Sequence, residues 1–158
     1  MQARVAQLLK LVVSCDFDLL IYNTRRSFAK QAALFRQGRS LSEIHDLALA
    51  LDLDWGRDDL SRTLLDAPIQ ASNRIVTQAG PGQSLHNYGL AIDAVPMRNG
   101  KPVWGTREAD DYRCWCAYGA MVRDSGLEWA GDWQGFREFP HAQMPGYSWQ
   151  DLISEPLL

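Results

Sequence analysis

Two histidines and an aspartate in the second half of the chain are residue types that a catalytic metal uses as ligands. His86 and Asp93 lie seven residues apart, and His141 follows about fifty residues later. Two ring nitrogens and one carboxylate oxygen suit a zinc ion that keeps a fourth position open for water. Glu138, three residues before His141, is a candidate for the base that takes a proton from this water.

These residue types also have ordinary structural uses. A single histidine is more often a structural side chain than a metal ligand, and we interpret His45, in a helix-like stretch, in that way. Spacing alone does not decide between the two interpretations for His86 and His141. Their joint occurrence with Asp93 and Glu138 favours a metal site.

Length and composition exclude several other classes of protein. The 158 residues suit one hydrophobic core, and we expect a single domain over 1–158. The net charge of −3 and the scattered basic residues argue against a nucleic-acid partner. No run approaches the ~20 apolar residues of a membrane span, so we expect no membrane insertion.

The three cysteines are odd in number and lack a C-x-x-C pair. Such a set argues against a disulfide framework and against a thiolate zinc site. We therefore expect reduced, mostly buried thiols at Cys15, Cys114 and Cys116.

The first residues of the chain predict an amphipathic helix. Val5, Leu8 and Val12 recur at helical spacing, whereas Gln7 and Lys10 interrupt the apolar run, and no small-residue cleavage site follows. We therefore expect synthesis in the cytoplasm without a signal peptide, so that a target outside the cytoplasm must be reached by another route.

The periodicity of the chain predicts an α+β fold in which a small antiparallel sheet holds the candidate metal site and helices pack on one face. Residues 40–73 form an insertion-like region of one or two helices. Predicted helices cover about 3–14, a stretch after an N-cap at Ser27, 108–124 and a short segment after Ser148, and predicted strands cover 17–22, 73–78, 90–95 and 102–104.

Asp93 falls within the predicted strand 90–95. Gly89 and the β-forming residues after it favour a loop that enters a strand rather than a helix. On such a strand Asp93 and Ala91 share one face, while Ile92 faces the other. Asp93 can therefore point into a site while its neighbours pack.

The motifs around these candidates resemble those of a known family. They are similar to the signature of the zinc-dependent family that joins D-alanyl-D-alanine carboxypeptidases and dipeptidases of the VanY and VanX type with L-alanyl-D-glutamate endopeptidases of phage endolysins. Segments 26–39 and 129–143 also match, and the second resembles the endopeptidase branch. The matching motif positions are Ser84, His86, Gly89, Ala91 and Asp93, followed by Glu138 and His141.

The resemblance implies a role for each motif residue. It implies that His86, Asp93 and His141 bind Zn²⁺ and that Glu138 is the general base. Arg26 matches the arginine thought to support the carbonyl oxygen as it becomes an oxyanion, with the adjacent Arg25 as an alternative.

Four further residues are candidates for contacts around the centre. Ser84 and Gln31 match recurring positions and are assigned support of the ligands, with a turn-forming hydroxyl and a helix-surface amide as their ordinary alternatives. Asp132 is a carboxylate that competes with Glu138, since it could bind substrate or act as the base. Trp133 could line a substrate groove or pack in the core.

The resemblance implies a zinc metallopeptidase of the peptidoglycan stem peptide, acting in phage or prophage lysis of the cell wall. The ending His141-x-Gln143 lacks the second histidine of some carboxypeptidases and so favours the endopeptidase branch, with the L-Ala-D-Glu bond as target. A glutamate at position 138, where many endopeptidases carry aspartate, leaves the geometry of the base open.

Two other functions remain in competition. One is a D-Ala-D-Ala carboxypeptidase or dipeptidase, and the other is a catalytically silent peptidoglycan-binding module. For the peptidase we expect a monomer that acts on the wall in the periplasm, released there by a separate membrane-permeabilising protein.

Overall fold

The computed structural model describes residues 1–68 and 74–154. The chain divides into two compact units, and each contains its own hydrophobic core. The first unit comprises Met1–Thr24 and Gly89–Gly146, and the second comprises Arg25–Tyr88 and Tyr147–Leu158. The single domain over 1–158 stays a prediction.

Helices and one antiparallel sheet make the fold α+β, as expected. The helices of the described residues are α1 (Gln2–Val12), α2 (Phe28–Phe35), α3 (Leu41–Leu53), α4 (Asp58–Asp66), α5 (Ala109–Asp124) and α6 (Trp149–Ile153). The strands are β1 (Asp18–Asn23), β2 (Ala91–Arg98), β3 (Lys101–Pro102), β4 (Glu128–Trp129) and β5 (His141–Gln143).

The sheet belongs to the first unit. Its strands run in the order β1-β2-β5-β4, and β3 pairs with the end of β2 as a short hairpin. β5 lies between β2 and β4: Ala142 and Gln143 are paired with residues of both strands, and His141 is paired with Asp93 of β2. A strand this short is held in place by its two partners, and that fixes the position of His141 at its first residue.

Helices α1 and α5 pack against the sheet in the core of the first unit. Trp115 and Tyr118 of α5 are fully buried in the same core as Ile92 and Val95 of β2. Large aromatic side chains supply much of the apolar area that stabilises such a core. Gly119 lies on the same helix where a Cβ atom would clash with the Trp129 ring, so the close approach of α5 to β4 requires glycine.

The second unit consists of helices, several with the caps expected from the sequence. The Ser27 hydroxyl accepts a hydrogen bond from the Lys30 N–H and begins α2. Ser40 and Glu43 form a capping box at the start of α3. Ser148 caps α6, as predicted. Within the described part of 40–73, α3 and α4 confirm the helical character of that region.

The strand expected at 73–78 is wrong over its described residues. Asn73 lies outside the described residues, and 74–78 have no strand conformation. Side chains rather than a neighbouring strand bind the backbone here: Arg39 donates to the Thr77 carbonyl at 2.7 Å, and Gln31 donates to the Ala79 carbonyl at 2.7 Å. These side chains take the place of a neighbouring strand as hydrogen-bond partners of the backbone.

Two smaller expectations also need correction. The strand predicted at 102–104 is shorter and begins one residue earlier, as β3 at Lys101–Pro102. After a last hydrogen bond from the Val103 N–H to the Pro96 carbonyl, the chain leaves the hairpin. Cys114 is buried, but Cys116 is exposed since it lies two residues further along α5. All three thiols are free, as expected. No helix in the described ranges is long and apolar enough to cross a bilayer.

Candidate metal centre

Asp93 and His141 meet across the sheet. They are directly paired between β2 and β5, and Asp93 Oδ1 lies 3.1 Å from His141 Nδ1. Two ligand atoms at about 2.0–2.1 Å from one tetrahedral zinc are about 3.3 Å apart. The observed separation is therefore close to that of two atoms that share one zinc ion.

The other oxygen of Asp93 is held by β1. Asn23 Nδ2 donates to Asp93 Oδ2 at 2.8 Å, and the register between the two strands shifts between Ile21 and Asn23. Such an irregularity re-aims a side chain at the end of a strand. With Oδ2 occupied by the amide, Oδ1 is the oxygen that faces His141.

His141 is buried and has polar partners at both ring nitrogens. Its Nε2 lies 3.1 Å from Gln143 Oε1, and the Trp133 ring lies beside the imidazole with centroids 5.6 Å apart. Burial lowers the pKa of His141, but the hydrogen bond and charge of Asp93, the hydrogen bond to Gln143 and the charge of Glu138 together raise it above its ordinary value.

Glu138 is joined to His141 through the backbone. The Glu138 carbonyl accepts from the His141 N–H at 3.1 Å, and the Glu138 N–H donates to the Ala130 carbonyl at 3.3 Å. The Glu138 side chain is half-buried, and its charge acts on the His141 ring. A half-buried carboxylate still exchanges protons with solvent, as a proton carrier requires.

The two residues between Glu138 and His141 are held by buried side chains. Trp129 Nε1 donates to the Phe139 carbonyl at 2.8 Å. The Pro140 carbonyl accepts from the Tyr118 hydroxyl at 3.1 Å and from the Ala94 N–H at 3.0 Å. Burial raises the pKa of Tyr118, so its hydroxyl remains a donor. The candidate base Glu138 and the candidate ligand His141 therefore flank two residues whose backbone carbonyls are held by hydrogen bonds.

His86 lies in a short 3-10 turn, Leu85–Tyr88, and its side chain is only 2% exposed. The His86 carbonyl accepts from the Arg26 N–H at 2.9 Å. Asn87 strengthens the same turn, because its amide donates to the Arg26 carbonyl at 3.0 Å and accepts from the Gly82 N–H at 2.9 Å. The turn thus fixes the backbone of His86 and Arg26 together.

The predicted ligand set consists of Asp93 and His141 in the first unit and His86 in the second unit. Two imidazoles and one carboxylate are the donor set of catalytic rather than structural zinc sites, which more often use thiolates. The side chains present therefore fit a catalytic zinc ion.

Arg26 and Gln31 are bound to each other. An Arg26 guanidinium nitrogen donates to Gln31 Oε1 at 2.7 Å, and Gln31 Nε2 donates to the Ala79 carbonyl. Gln31 is fully buried, so the interpretation as a helix-surface amide is wrong. Arg25 is exposed whereas Arg26 is half-buried.

The other candidates have different environments. Asp132 is 52% exposed and forms an ion pair with Arg123 at 2.7 Å. Trp133 donates from Nε1 to Glu128 Oε1 at 2.8 Å in addition to its contact with the His141 ring. Ser84 contributes its carbonyl, which accepts from the Asn87 N–H at 2.9 Å.

Four residues around the candidate ligands were not singled out from the sequence. They are polar groups whose partners come from other elements of the same unit, so no local pattern marks them. Their contacts become visible only in the folded structure. The four residues are Asn23, Asn87, Tyr118 and Glu128.

Comparison with known proteins is consistent with this arrangement. A family model described as D-alanyl-D-alanine carboxypeptidase matches residues 77–144, which include all three candidate ligands and Glu138. The peptidoglycan L-alanyl-D-glutamate endopeptidase CwlK of Bacillus subtilis (strain 168) is 29% identical over 131 residues, covering 80% of this chain and 60% of the relative. The L-alanyl-D-glutamate peptidase of Listeria phage A118 is 32% identical over 97 residues, covering 58% of this chain and 33% of the relative.

The chain is similar to this family of peptidases over residues 77–144. Both curated relatives carry the name of an L-alanyl-D-glutamate peptidase. The matched regions span 60% and 33% of the lengths of those two relatives. The crystal structure of the Serratia marcescens L-Ala D-Glu endopeptidase ChiX aligns with a TM-score of 0.44 and 18% identity, over 94% of this chain and 81% of that chain.

Proposed function

We propose that this chain is a zinc-dependent peptidoglycan endopeptidase that hydrolyses the L-Ala-D-Glu bond of the stem peptide. The observation that carries the proposal is the contact between Asp93 and His141, with Glu138 fixed three residues before the histidine. The names of the two curated relatives supply the substrate. The metal ligands are His86, Asp93 and His141.

Glu138 is the proton carrier in this mechanism. Zinc held by His86, Asp93 and His141 would polarise the scissile carbonyl and make the attacking water more acidic. Glu138 takes the proton from this water and delivers it to the leaving amine of D-Glu as the C–N bond breaks. Asp132 is a poorer base, because its carboxylate is engaged by Arg123.

Arg26 supports the oxyanion that develops on the scissile carbonyl. Its guanidinium is oriented by the buried amide of Gln31, so little reorganisation is needed when charge develops. Arg25 is exposed and has no comparable orientation by a buried group in the second unit as described. We therefore assign the role to Arg26.

The target lies in the cell wall, which the protein reaches after its release from the cytoplasm as a monomer. The relative from a Listeria phage supports a role in lysis, where a separate membrane-permeabilising protein gives access to the wall.

A D-Ala-D-Ala carboxypeptidase is the second candidate, because the matching family model carries that description. Digestion of purified peptidoglycan by the zinc-loaded protein, followed by mass spectrometry of the fragments, separates the two. New D-Glu amino termini support the endopeptidase, whereas release of terminal D-Ala alone transfers the function to the carboxypeptidase. Co-sedimentation with peptidoglycan without any cleavage would leave only a binding module.

A further inference from the structure

A chain of hydrogen bonds runs from His141 to the next strand of the sheet. Beginning at the ring, His141 Nε2 lies 3.1 Å from Gln143 Oε1. Gln143 Nε2 donates to Glu128 Oε2 at 3.3 Å, and Trp133 Nε1 donates to Glu128 Oε1 at 2.8 Å. Glu128 and Gln143 are directly paired residues of β4 and β5, so the strand register brings their side chains together.

The donor and acceptor types in this chain allow one arrangement. A carboxylate only accepts hydrogen bonds, so Glu128 must face the NH₂ group of Gln143. The amide oxygen of Gln143 then faces His141, and it can only accept, so the proton of a metal-binding imidazole must lie on Nε2. Nδ1 is left as the nitrogen with a lone pair, on the side of Asp93.

We propose that Glu128 is a positioning residue for the metal centre: by orienting the Gln143 amide, it fixes the Nε2–H tautomer of His141 and directs Nδ1 toward the metal. The proposal rests on the proposed zinc site and extends it to a residue of the neighbouring strand. Trp133 helps to orient both ends of this chain: its N–H donates to Glu128, and its ring lies beside the His141 imidazole.

The isosteric substitution Glu128→Gln tests the orientation directly. In the new amide at position 128 an NH₂ group replaces one of the two carboxylate oxygens. This NH₂ group must then face another donor, either the Trp133 N–H or the Gln143 NH₂. If the amide keeps the bond from Trp133, the Gln143 side chain must turn and present its NH₂ group to His141 Nε2–H. Loss of such a support to a metal-binding histidine weakens metal affinity by about 10- to 100-fold.

A double variant restores the complementary pattern. In Glu128→Gln/Gln143→Glu the amide and the carboxylate exchange places, so the amide donates to the carboxylate and the carboxylate accepts from His141 Nε2–H. The indole of Trp133 keeps its acceptor, and the net charge is unchanged. We expect zinc affinity to return to within a few-fold of the wild-type value.

The measurement is zinc affinity by competition with a chromophoric chelator, with Glu108→Gln as the control for a glutamate that is exposed and makes no cap hydrogen bond. A second readout is the ¹⁵N NMR signal of His141 in the zinc-loaded protein, which should show a protonated Nε2 and a metal-bound Nδ1. Equal affinity of Glu128→Gln and wild type, or no recovery in the double variant with intact folding, would overturn the positioning role. A wild type that binds zinc no better than His86→Ala would overturn the metal site itself.

Discussion

Asp93 and His141 are opposite residues of two adjacent antiparallel strands, and their side chains meet with Oδ1 and Nδ1 3.1 Å apart. Two of the proposed ligands therefore come from paired strands of the sheet in the first unit. The residues that surround them, from β1, β4 and the segment before β5, lead to separate predictions.

Replacement of Glu138 tests the assignment of the base. Glu138→Gln should lower kcat by about 10²- to 10⁴-fold, because the proton of the attacking water has no acceptor. Zinc affinity should stay near the wild-type value, since Glu138 is not a ligand. The measurement is the rate of release of new amino termini from peptidoglycan, together with zinc content.

Asp132→Asn is the matched control for that experiment. Its carboxylate is exposed and bound to Arg123, so we expect activity within a few-fold of wild type. A large loss in Asp132→Asn with a near-normal Glu138→Gln protein would exchange the two roles.

The two adjacent arginines can be distinguished in the same assay. Arg26→Lys should lower kcat by about 10²- to 10³-fold, because an ammonium cannot keep the bond to Gln31 and stabilise the oxyanion together. Arg25→Lys, at an exposed position, should retain most activity. If the losses were reversed, Arg25 would be the oxyanion group.

Asn23 supports Asp93 from the neighbouring strand. Asn23→Ala removes the donor to Oδ2, which lets the carboxylate rotate, and zinc affinity should fall by about 10- to 100-fold. Asn23→Asp should cost more, because it places a second carboxylate against the first. Chelator competition measures both variants. Unchanged affinity in both would remove Asn23 from the centre.

The pH dependence of the metal-free protein follows from His141. Burial opposes the charged ring, but Asp93, Gln143 and Glu138 together raise its pKa above the ordinary value of 6.5. The protonated ring therefore stabilises the metal-free fold below that pH, and this contribution is lost as pH rises through the folded pKa. Urea unfolding from about pH 5 to about pH 9 should show the decline, which His141→Gln should abolish.

Zinc competes with the same proton. A histidine must lose its proton before it can bind zinc. Zinc affinity should therefore increase as pH rises through the folded pKa of His141, where the metal-free fold becomes less stable. A zinc affinity that does not change with pH would show that His141 is not a ligand.

Substitution of Gly119 tests whether the packing of α5 against Trp129 affects the proposed metal centre. Alanine usually favours a helix interior, but here its methyl group would clash with the Trp129 ring, so Gly119→Ala should lower the free energy of unfolding by about 1–3 kcal/mol. Displacement of the ring should also weaken its bond to the Phe139 carbonyl and reduce activity. Gly135→Ala, where a Cβ atom meets nothing within 4 Å, is the control. Thermal unfolding measures both.

Local signals in the sequence were good predictors where a few neighbouring residues decide the structure. Ser27 and Ser148 begin helices as predicted, because a cap needs only the next few N–H groups. The residue pattern of the candidate ligands was recognisable for the same reason. The ligand roles themselves stay a prediction.

Features that depend on distant partners were not predictable. Glu128 and Asn23 acquire their contacts only through strand register, which a single sequence does not define. The strand prediction for 74–78 was wrong because side chains remote in sequence bind the backbone there: Arg39 donates to the Thr77 carbonyl, and Gln31 donates to the carbonyl of Ala79 just beyond. Buried polar groups take whichever partner the fold supplies.

The carbonyl of Ala130 accepts from both Trp133 and Glu138, each at 3.3 Å, so it closes the base of the loop formed by residues 134–137. All four residues of that loop are exposed, including Phe136 at 64%. When the two ends of a loop are held together, sequence changes within the loop leave the flanking residues in place. Residues 134–137 are therefore a position where insertions or randomised segments could alter the selectivity of the proposed endopeptidase while the proposed base Glu138 and His141 stay in place.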